Sequence, residues 1–160
     1  MAAAGKGAAV ALEVREERRY GRFAWGQNDK NRKTIPNASG GKQVGRVRMI
    51  YKICPASAWR EAERQGVFRG SPVDISDGFI HFSTASQLAE TARKHFFGQT
   101  GLFLIAVDAD ALGKALRWER SRNDELFPHL YGELDLGAVT GVLSMRARSD
   151  GYHDIPELEP

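Results

Sequence analysis

From Met49 onward, apolar and polar residues alternate in two periods that predict short strands and helices. The run MIYKIC has the composition of a strand, and LFLIAV is an unbroken apolar run typical of a central strand covered on both faces. PASAWREAERQG predicts a short helix that begins near Pro55 and Ser57 and ends before Gly66.

A second helix is predicted after the strand FIHFS. Thr84 and Gln87 have the spacing of a capping box, and Leu88, Ala92 and Phe96 then follow at i, i+4 and i+8 on one helix face. We expect the preceding segment, VFRGSPVDISDG, to be a loop that ends in an Asp-Gly turn.

The last third of the domain is predicted to be mostly strands. DADALGKAL is typical of a turn of helix, RWER of a short strand and NDELFPH of a loop, while LYGEL and VTGVLSMRA are the last strands. This order favours a compact α+β fold with mixed or antiparallel sheets and two to three short helices. No glycine-rich phosphate loop follows a strand, which argues against P-loop and Rossmann folds.

Residues 1–48 show neither the helical nor the strand period of apolar residues. Their run GQNDKNRKTIPNASGGKQVGR carries almost no large apolar side chains, so it cannot offset the entropy of ordering. We therefore predict a disordered basic tail over 1–48, one globular domain over 49–148 and an irregular C-terminal tail over 149–160. A short helix over Ala8–Arg19, or a targeting segment, is an alternative within the first tail.

The charge of the chain is concentrated in that first tail. Residues 1–48 hold 11 lysines and arginines against 4 acidic residues, whereas the remainder holds 12 against 16. The domain that follows the tail therefore has no excess of basic residues, which argues against a nucleic-acid-binding domain. The alternative is an arm that contacts RNA or acidic lipid, with Tyr20, Phe23 and Trp25 supplying stacking surfaces.

Cysteine count and hydropathy exclude several further classes. With Cys54 alone, no intrachain disulfide or cysteine-based zinc finger can form. No apolar run approaches the roughly 18 residues of a membrane helix. We expect a cytoplasmic protein without a membrane partner, and the sequence leaves its oligomeric state open.

Two short motifs place an imidazole and a hydroxyl on one strand face. In FIHFS, His81 and Ser83 point to one side with Phe79, while Ile80 and Phe82 point to the core. The strand ends beside the helix that begins at Thr84, where free N–H groups suit an anion such as phosphate.

The motif FPHLYG repeats this arrangement with His129 and Tyr131. Two such edges in one small domain predict a shared cleft. The alternative for His81 is a core histidine satisfied by a neighbouring carbonyl, with Ser83 or Thr84 serving only as a helix cap. The alternative for His129 and Tyr131 is that both merely lie on a half-exposed strand.

RWERS adds a third group of candidates. Trp118 is a core or cleft aromatic, and Glu119, on the opposite face of the strand, could act as a general base or orient a ribose. The alternative for Glu119 is a surface ion pair with Arg117 or Arg122. The four histidines of the chain lack metal-ligand spacing, so we expect no metal.

The domain contains IYKI, a following Trp and Gly, DGFIHFST with its Gln and TA, RWE, and FPHLYG. Together these motifs resemble the bacterial and plant family called domain of unknown function 952. The resemblance covers about Met49 to Arg146. It implies an ADP-ribosyltransferase-like fold, which binds NAD or a phosphorylated nucleotide in a cleft between two small sheets. In the histidine-type branch of that fold the first strand carries a histidine; here Lys52 stands in its place. His81 and Ser83 match the second-strand aromatic and hydroxyl positions.

The resulting hypothesis is a domain that binds a nucleotide or phosphorylated ligand in a cleft, with NAD as its cofactor and a transferase activity of ADP-ribosyl or phosphoryl type. The expected catalytic residues are His81, Glu119 and His129, and the expected ligand-binding residues are Lys52, Ser83, Thr84, Trp118 and Tyr131. The alternatives are a non-catalytic ligand-binding or protein-interaction module, and RNA binding through residues 1–48.

Overall fold

The structure is a computed structural model that describes residues 48–158 and two paired strands before them, β1 (Ile35–Pro36) and β2 (Lys42–Gln43). The rest of the predicted basic tail lies outside the described residues. So do its alternative helix over Ala8–Arg19 and the three aromatic residues of the hypothetical RNA-binding arm.

Short strands and three short α-helices make up residues 48–158. They are β3 (Met49–Pro55), α1 (Ala56–Gln65), β4 (Val67–Phe68), α2 (Pro72–Asp77), β5 (Ile80–His81), α3 (Leu88–His95), β6 (Leu102–Asp108), β7 (Leu116–Arg120), β8 (Leu126–Leu130), β9 (Leu134–Asp135) and β10 (Val139–Met145). None of these helices is long and apolar enough to cross a membrane.

The strands form two three-stranded antiparallel sheets. Sheet I has the order β10-β6-β3 and sheet II the order β5-β8-β7, while β4 pairs with β9. A bridge between Tyr51 and Ser83 joins the two sheets, each N–H donating to the other carbonyl at 2.9 and 2.8 Å. The predicted α+β class with split antiparallel sheets is therefore confirmed.

Strand β6 lies at the centre of sheet I and is buried on both faces, as its unbroken apolar run predicts. One face packs against α1 and the inner face of sheet II. The other packs against α3 and the C-terminal segment, in which Ile155 and Leu158 contact the core although that segment forms no regular element. Sheet I thus anchors both the helices and sheet II.

Both predicted helices form at the predicted places. Helix α1 ends at Gly66, whose φ of 77° lies in the left-handed region that glycine adopts without strain. A capping box joins Thr84 and Gln87, with the Thr84 N–H donating to Gln87 Oε1 at 3.0 Å, and it begins a short 3₁₀ turn that leads into α3.

The prediction of a loop over VFRGSPVDISDG is wrong, because this segment forms β4 and helix α2. Ser71 and Asp74 make a capping box, and Pro72 occupies the first turn of α2. Ser-Pro-x-Asp is itself a helix-start signal, since proline at the first helical position needs no N–H partner. The Asp-Gly turn signal was correct only for the end of the helix, at Gly78.

The predicted loop NDELFPH is also partly wrong, because its last four residues, Leu126–His129, lie within β8, the middle strand of sheet II. Pro128 sits opposite Phe82 and accepts the Phe82 N–H at 2.9 Å, but it has no N–H to return. The ladder is therefore incomplete at this pair, and β5 is limited to Ile80–His81 instead of the whole of FIHFS.

Candidate functional site

Sheet II has an apolar inner face and a polar, aromatic outer face. Ile80, Phe82 and Leu130 are buried in the core on the inner face. Alternation along the strands directs the neighbouring residues outward, and these include Phe79, His81, His129 and Tyr131. We call this second surface the outer face.

His81 and His129 are direct partners across β5 and β8. The bond from Phe82 to Pro128 next to them makes this the closely spaced pair of the antiparallel ladder, in which side chains approach most nearly. Their ring centres lie 5.4 Å apart with the planes at 72°. The two imidazoles therefore stand side by side on one sheet and do not face each other across a cleft.

His81 is oriented by Asp74, which belongs to α2. Because the His81 N–H points away from β8, it is free to donate to Asp74 Oδ1 at 3.0 Å, and its ring Nδ1 lies 2.7 Å from the same oxygen. Asp74 thus fills the split between the two sheets just beyond the Tyr51–Ser83 bridge and fixes both the backbone and the ring of His81.

Asp74 is fully buried and collects three further donors. Lys52 Nζ lies 2.7 Å away, and Ser71 donates from its N–H at 2.7 Å and from its hydroxyl at 2.6 Å. Burial alone would raise the pKa of Asp74, but the bonds from His81, Lys52 and Ser71 and the charge of Lys52 lower it well below its ordinary value. Asp74 is consequently a carboxylate at neutral pH.

Lys52 projects from β3 into the same buried position. Burial lowers the pKa of Lys52, and the charge and hydrogen bond of Asp74 oppose that shift. With only 6% of its side chain exposed, Lys52 is committed to the ion pair and is not displayed on the outer face.

His129 is oriented by a second carboxylate, Glu119 of β7. His129 Nδ1 lies 2.8 Å from Glu119 Oε2, and the Tyr131 hydroxyl donates to the same oxygen at 3.0 Å. The bond from His129, followed by that from Tyr131, lowers the pKa of Glu119, whereas the bond to Glu119 raises the pKa of Tyr131. Glu119 is therefore held as an ionised acceptor between the two rings.

Phe79 packs against the polar rings of the outer face. Its ring centre lies 4.3 Å from that of His129, in a stacked arrangement, 4.6 Å from that of His81 and 5.2 Å from that of Tyr131. The Arg117 guanidinium lies over the Tyr131 ring at 4.3 Å. These contacts pack the imidazoles against aromatic rings and leave Tyr131 about one-third exposed.

The two imidazoles are alike at Nδ1 and differ at Nε2. A carboxylate can only accept a hydrogen bond, so a neutral ring that is bonded to one carries its proton on Nδ1. In His129 this leaves Nε2 as an acceptor that no described residue bonds. Nε2 of His81 lies 3.3 Å from the carboxylate of Asp77, a second acceptor, so a neutral His81 presents Nε2 as a base only when the Asp77 side chain, which is 44% exposed, turns away. Such an arrangement can remove a proton from a bound hydroxyl or return one to it.

Three other predicted site residues lie apart from this group. Trp118 faces inward, packs against the core and stacks under Arg48, so it shares no surface with Glu119. Ser83 is buried, with its hydroxyl 3.1 Å from that of Thr91, and Thr84 caps the turn before α3. The structure brings together His81, Glu119, His129 and Tyr131, with Lys52 linked through Asp74.

Asp74 is the main site residue that sequence reasoning missed. The capping signal Ser-Pro-x-Asp would have placed it at a helix start, but nothing local connects it with Lys52, 22 residues earlier. Within residues 48–158, no three His, Cys, Asp or Glu side chains converge as ligands for a metal ion.

Comparison with known proteins identifies the family. The sequence model of the family described as "Protein of unknown function (DUF952)" matches residues 53–142. The crystal structure of protein CC0527 from Caulobacter crescentus is 46% identical with a TM-score of 0.65, covering 66% of this chain and 93% of that one. Its solution NMR structure is 47% identical with a TM-score of 0.60, covering 66% and 90%. None of the curated proteins compared matches the chain. Because the family match spans more than half of the sequence, the chain belongs to the DUF952 family.

Proposed function

We propose that the outer face of sheet II binds a nucleotide or another phosphorylated small ligand, with NAD as the first candidate, and that His81 and His129 exchange protons with it. One observation carries this proposal: two imidazoles 5.4 Å apart are both held at Nδ1 by carboxylates, at 2.7 and 2.8 Å. Paired titratable groups oriented in this way are typical of acid–base sites.

The chemistry that suits this geometry is transfer of a phosphoryl or ADP-ribosyl group to a hydroxyl. His81, the more exposed imidazole, takes the proton of the attacking hydroxyl on Nε2 as the new bond to phosphorus or to the ribose carbon forms and the bond to the leaving group breaks. In phosphoryl transfer, His129 enters the step as the imidazolium and donates its Nε2 proton to the leaving oxygen. In ADP-ribosyl transfer from NAD, nicotinamide leaves as a neutral molecule and needs no proton. Asp74 and Glu119 compensate the charge of each imidazolium, the role that a carboxylate has in a catalytic triad.

The neighbouring aromatic residues supply a surface for a base or a nicotinamide ring. Tyr131 and Phe79 offer flat faces beside the imidazoles, and Arg117, whose side chain already lies over Tyr131, adds a positive charge. We assign ligand contact to Tyr131 and proton transfer to His81 and His129, with Glu119 as a positioning residue.

The split between β3 and β5 supports an ADP-ribosyltransferase-like fold as part of the same proposal. In that interpretation Lys52 occupies the first-strand position that a histidine has in the related branch. Since Lys52 is buried against Asp74, we assign it a positioning role, acting on His81 through the shared carboxylate.

A thermal-shift screen with NAD, ADP-ribose, mononucleotides and an RNA 2′-phosphate tests this function. A ligand present at 100 times its dissociation constant adds about 2.7 kcal/mol to the stability of the protein it binds. We expect a shift with at least one phosphorylated probe, lost in His81→Ala combined with His129→Ala. His95→Ala, which removes an exposed histidine from α3, is the matched control. If no phosphorylated probe shifts the wild type, the proposal fails.

A non-catalytic binding module is the second candidate. Asp77 lies 3.3 Å from Nε2 of His81, and this contact is the observation that favours it, because an occupied Nε2 cannot act as a base. The two functions differ in outcome: a binding module gives the thermal shift without turnover of the probe, both in the wild type and in Asp77→Asn.

A further inference from the structure

Arg122 lies at the edge of the outer face, one row of side chains beyond the two histidines. Ser83 comes two residues after His81, and Phe127 comes two residues before His129. Because the two strands are antiparallel, both residues lie on the same side of the histidine pair, in the next row of side chains about 7 Å away. The Arg122 guanidinium lies over the Phe127 ring at 4.9 Å and donates from Nη2 to the Thr91 hydroxyl at 3.3 Å.

These contacts form a short polar strip between sheet II and α3. Thr91 belongs to α3, and its hydroxyl lies 3.1 Å from that of Ser83, so the strip runs Arg122, Thr91, Ser83. Only 16% of the Arg122 side chain is exposed. A largely buried arginine next to two hydroxyls is a donor set of the kind that binds phosphate.

The hydrogen-bonding capacity of Arg122 is not used up by the protein. Its Nε is buried and has no hydrogen-bond partner among the described residues. The nearest carboxylate, Glu90, lies 3.7 Å away, beyond hydrogen-bond distance, and is itself bonded to Lys94 at 2.9 Å. A buried donor without a partner costs stability, and a bound anion would remove that cost.

The local charge is also favourable to an anion. Burial and the charges of Arg122, Lys94 and His81 lower the pKa of His95, which shows that these positive groups act on one region at the end of α3. Glu90 is the acidic group that the structure places against Arg122, and its charge is shared with Lys94.

The segment that carries Arg122 has an unusual backbone. Asn123 and Asp124 follow it with φ values of 56° and 62°, in the left-handed region that non-glycine residues seldom adopt. The turn is closed by the Ser121 N–H, which donates to the Glu125 carbonyl at 2.9 Å. Asparagine and aspartate are the residues that, after glycine, adopt this region most readily, so the turn fixes the position of Arg122 with little strain.

We propose that Arg122, Thr91 and Ser83 form an anion subsite that receives a phosphate or pyrophosphate group of the ligand. This inference rests on the proposed function, because it gives the phosphorylated ligand a fixed end about one side-chain row from the two imidazoles. It narrows the ligand class to molecules whose phosphate lies next to the bond that reacts, as in a nucleoside diphosphate.

Titration of the full chain with inorganic pyrophosphate tests the subsite without a nucleotide. Binding is followed by calorimetry and by the NMR signal of the Arg122 Nε–H group. We expect saturable binding that moves this signal, and a loss of at least about tenfold in affinity in Arg122→Gln, since a charge-assisted hydrogen bond contributes at least that much. Arg93→Gln, which removes an equal charge from the exposed surface of α3, should bind like the wild type.

Thr91→Val gives a second variant that keeps the packing volume of α3 and removes one hydroxyl, and a several-fold weaker affinity is expected. Unchanged pyrophosphate affinity in Arg122→Gln, or no binding by the wild type, overturns the subsite. The outcomes are separable from those of the proposed function. If pyrophosphate binds at Arg122 but no nucleotide binds at the histidines, the subsite stands and the proposed function fails. If a nucleotide binds at the histidines but pyrophosphate does not bind at Arg122, only the subsite fails.

Discussion

His81 and His129 are direct partners on neighbouring antiparallel strands, yet each is held by a carboxylate from a different part of the fold. Asp74 reaches His81 from helix α2, and Glu119 reaches His129 from strand β7 on the other side of β8. The geometry of the pair therefore depends on two independent contacts, which can be removed one at a time.

Replacing Asp74 with asparagine should destabilise the protein strongly. The substitution leaves the Lys52 ammonium buried without a counter-charge, and breaking a buried ion pair from one side costs about 3–5 kcal/mol. Urea unfolding followed by circular dichroism measures the loss.

Asp77→Asn is the matched control, since Asp77 is an exposed carboxylate on the same helix, and a change within about 1 kcal/mol is expected there. Adding Lys52→Met to Asp74→Asn should recover part of the stability, because an apolar side chain leaves no unpaired charge. A loss in Asp74→Asn no larger than that in Asp77→Asn would show that the buried pair does not stabilise the fold.

The lowered pKa of the Asp74 carboxyl predicts how the free energy of unfolding depends on pH. The pKa of Asp74 is lower in the folded than in the unfolded protein, so the unfolded chain binds more protons in acid. Its contribution is fully present above the unfolded pKa of about 3.9 and is lost as the pH falls through the folded value. Unfolding free energies measured from about pH 7 to pH 2.5 should fall more steeply below about pH 4 in the wild type than in Lys52→Met with Asp74→Asn. Parallel curves for the two proteins would exclude Asp74 as the source.

Glu119→Gln should change the titration of Tyr131. The pKa of the Tyr131 phenol is raised first by its hydrogen bond to Glu119, so removing the carboxylate should let the phenol ionise at lower pH. Carbon NMR of labelled tyrosines, assigned with Tyr131→Phe, follows this directly. Glu133→Gln is the control, because Glu133 is two residues from Tyr131 but pairs with Arg69. An unchanged Tyr131 titration in Glu119→Gln would mean that the bond does not persist in solution.

Local pattern was sufficient to predict much of the framework. The apolar run of β6 and the Thr84–Gln87 capping box each depend on near neighbours, and each corresponds to an observed feature. The two histidine motifs, predicted to share a cleft, lie side by side on one face of sheet II.

The partners of those histidines could not be predicted, because they depend on register and on chain segments distant in sequence. Asp74 lies in a segment whose sequence pattern predicts a loop, and Lys52 reaches it across the split between the sheets. Alternation predicts that Trp118 and Glu119 lie on opposite faces of their strand but does not indicate which face is buried, so the sequence alone makes both residues candidates for the site. Only the packing of Trp118 against the core separates them.

The proposed site requires both imidazoles to present Nε2 to a phosphorylated ligand while carboxylates hold Nδ1. Long-range proton–nitrogen NMR of the histidine rings, recorded during titration with ADP-ribose, follows both nitrogen atoms of each ring. We predict that the Nε2 signals of His81 and His129 move together and saturate at one ligand concentration, while both Nδ1 atoms stay protonated. If ADP-ribose, NAD and nucleoside diphosphates at millimolar concentration leave both Nε2 signals unchanged, the outer face of sheet II is not the ligand site.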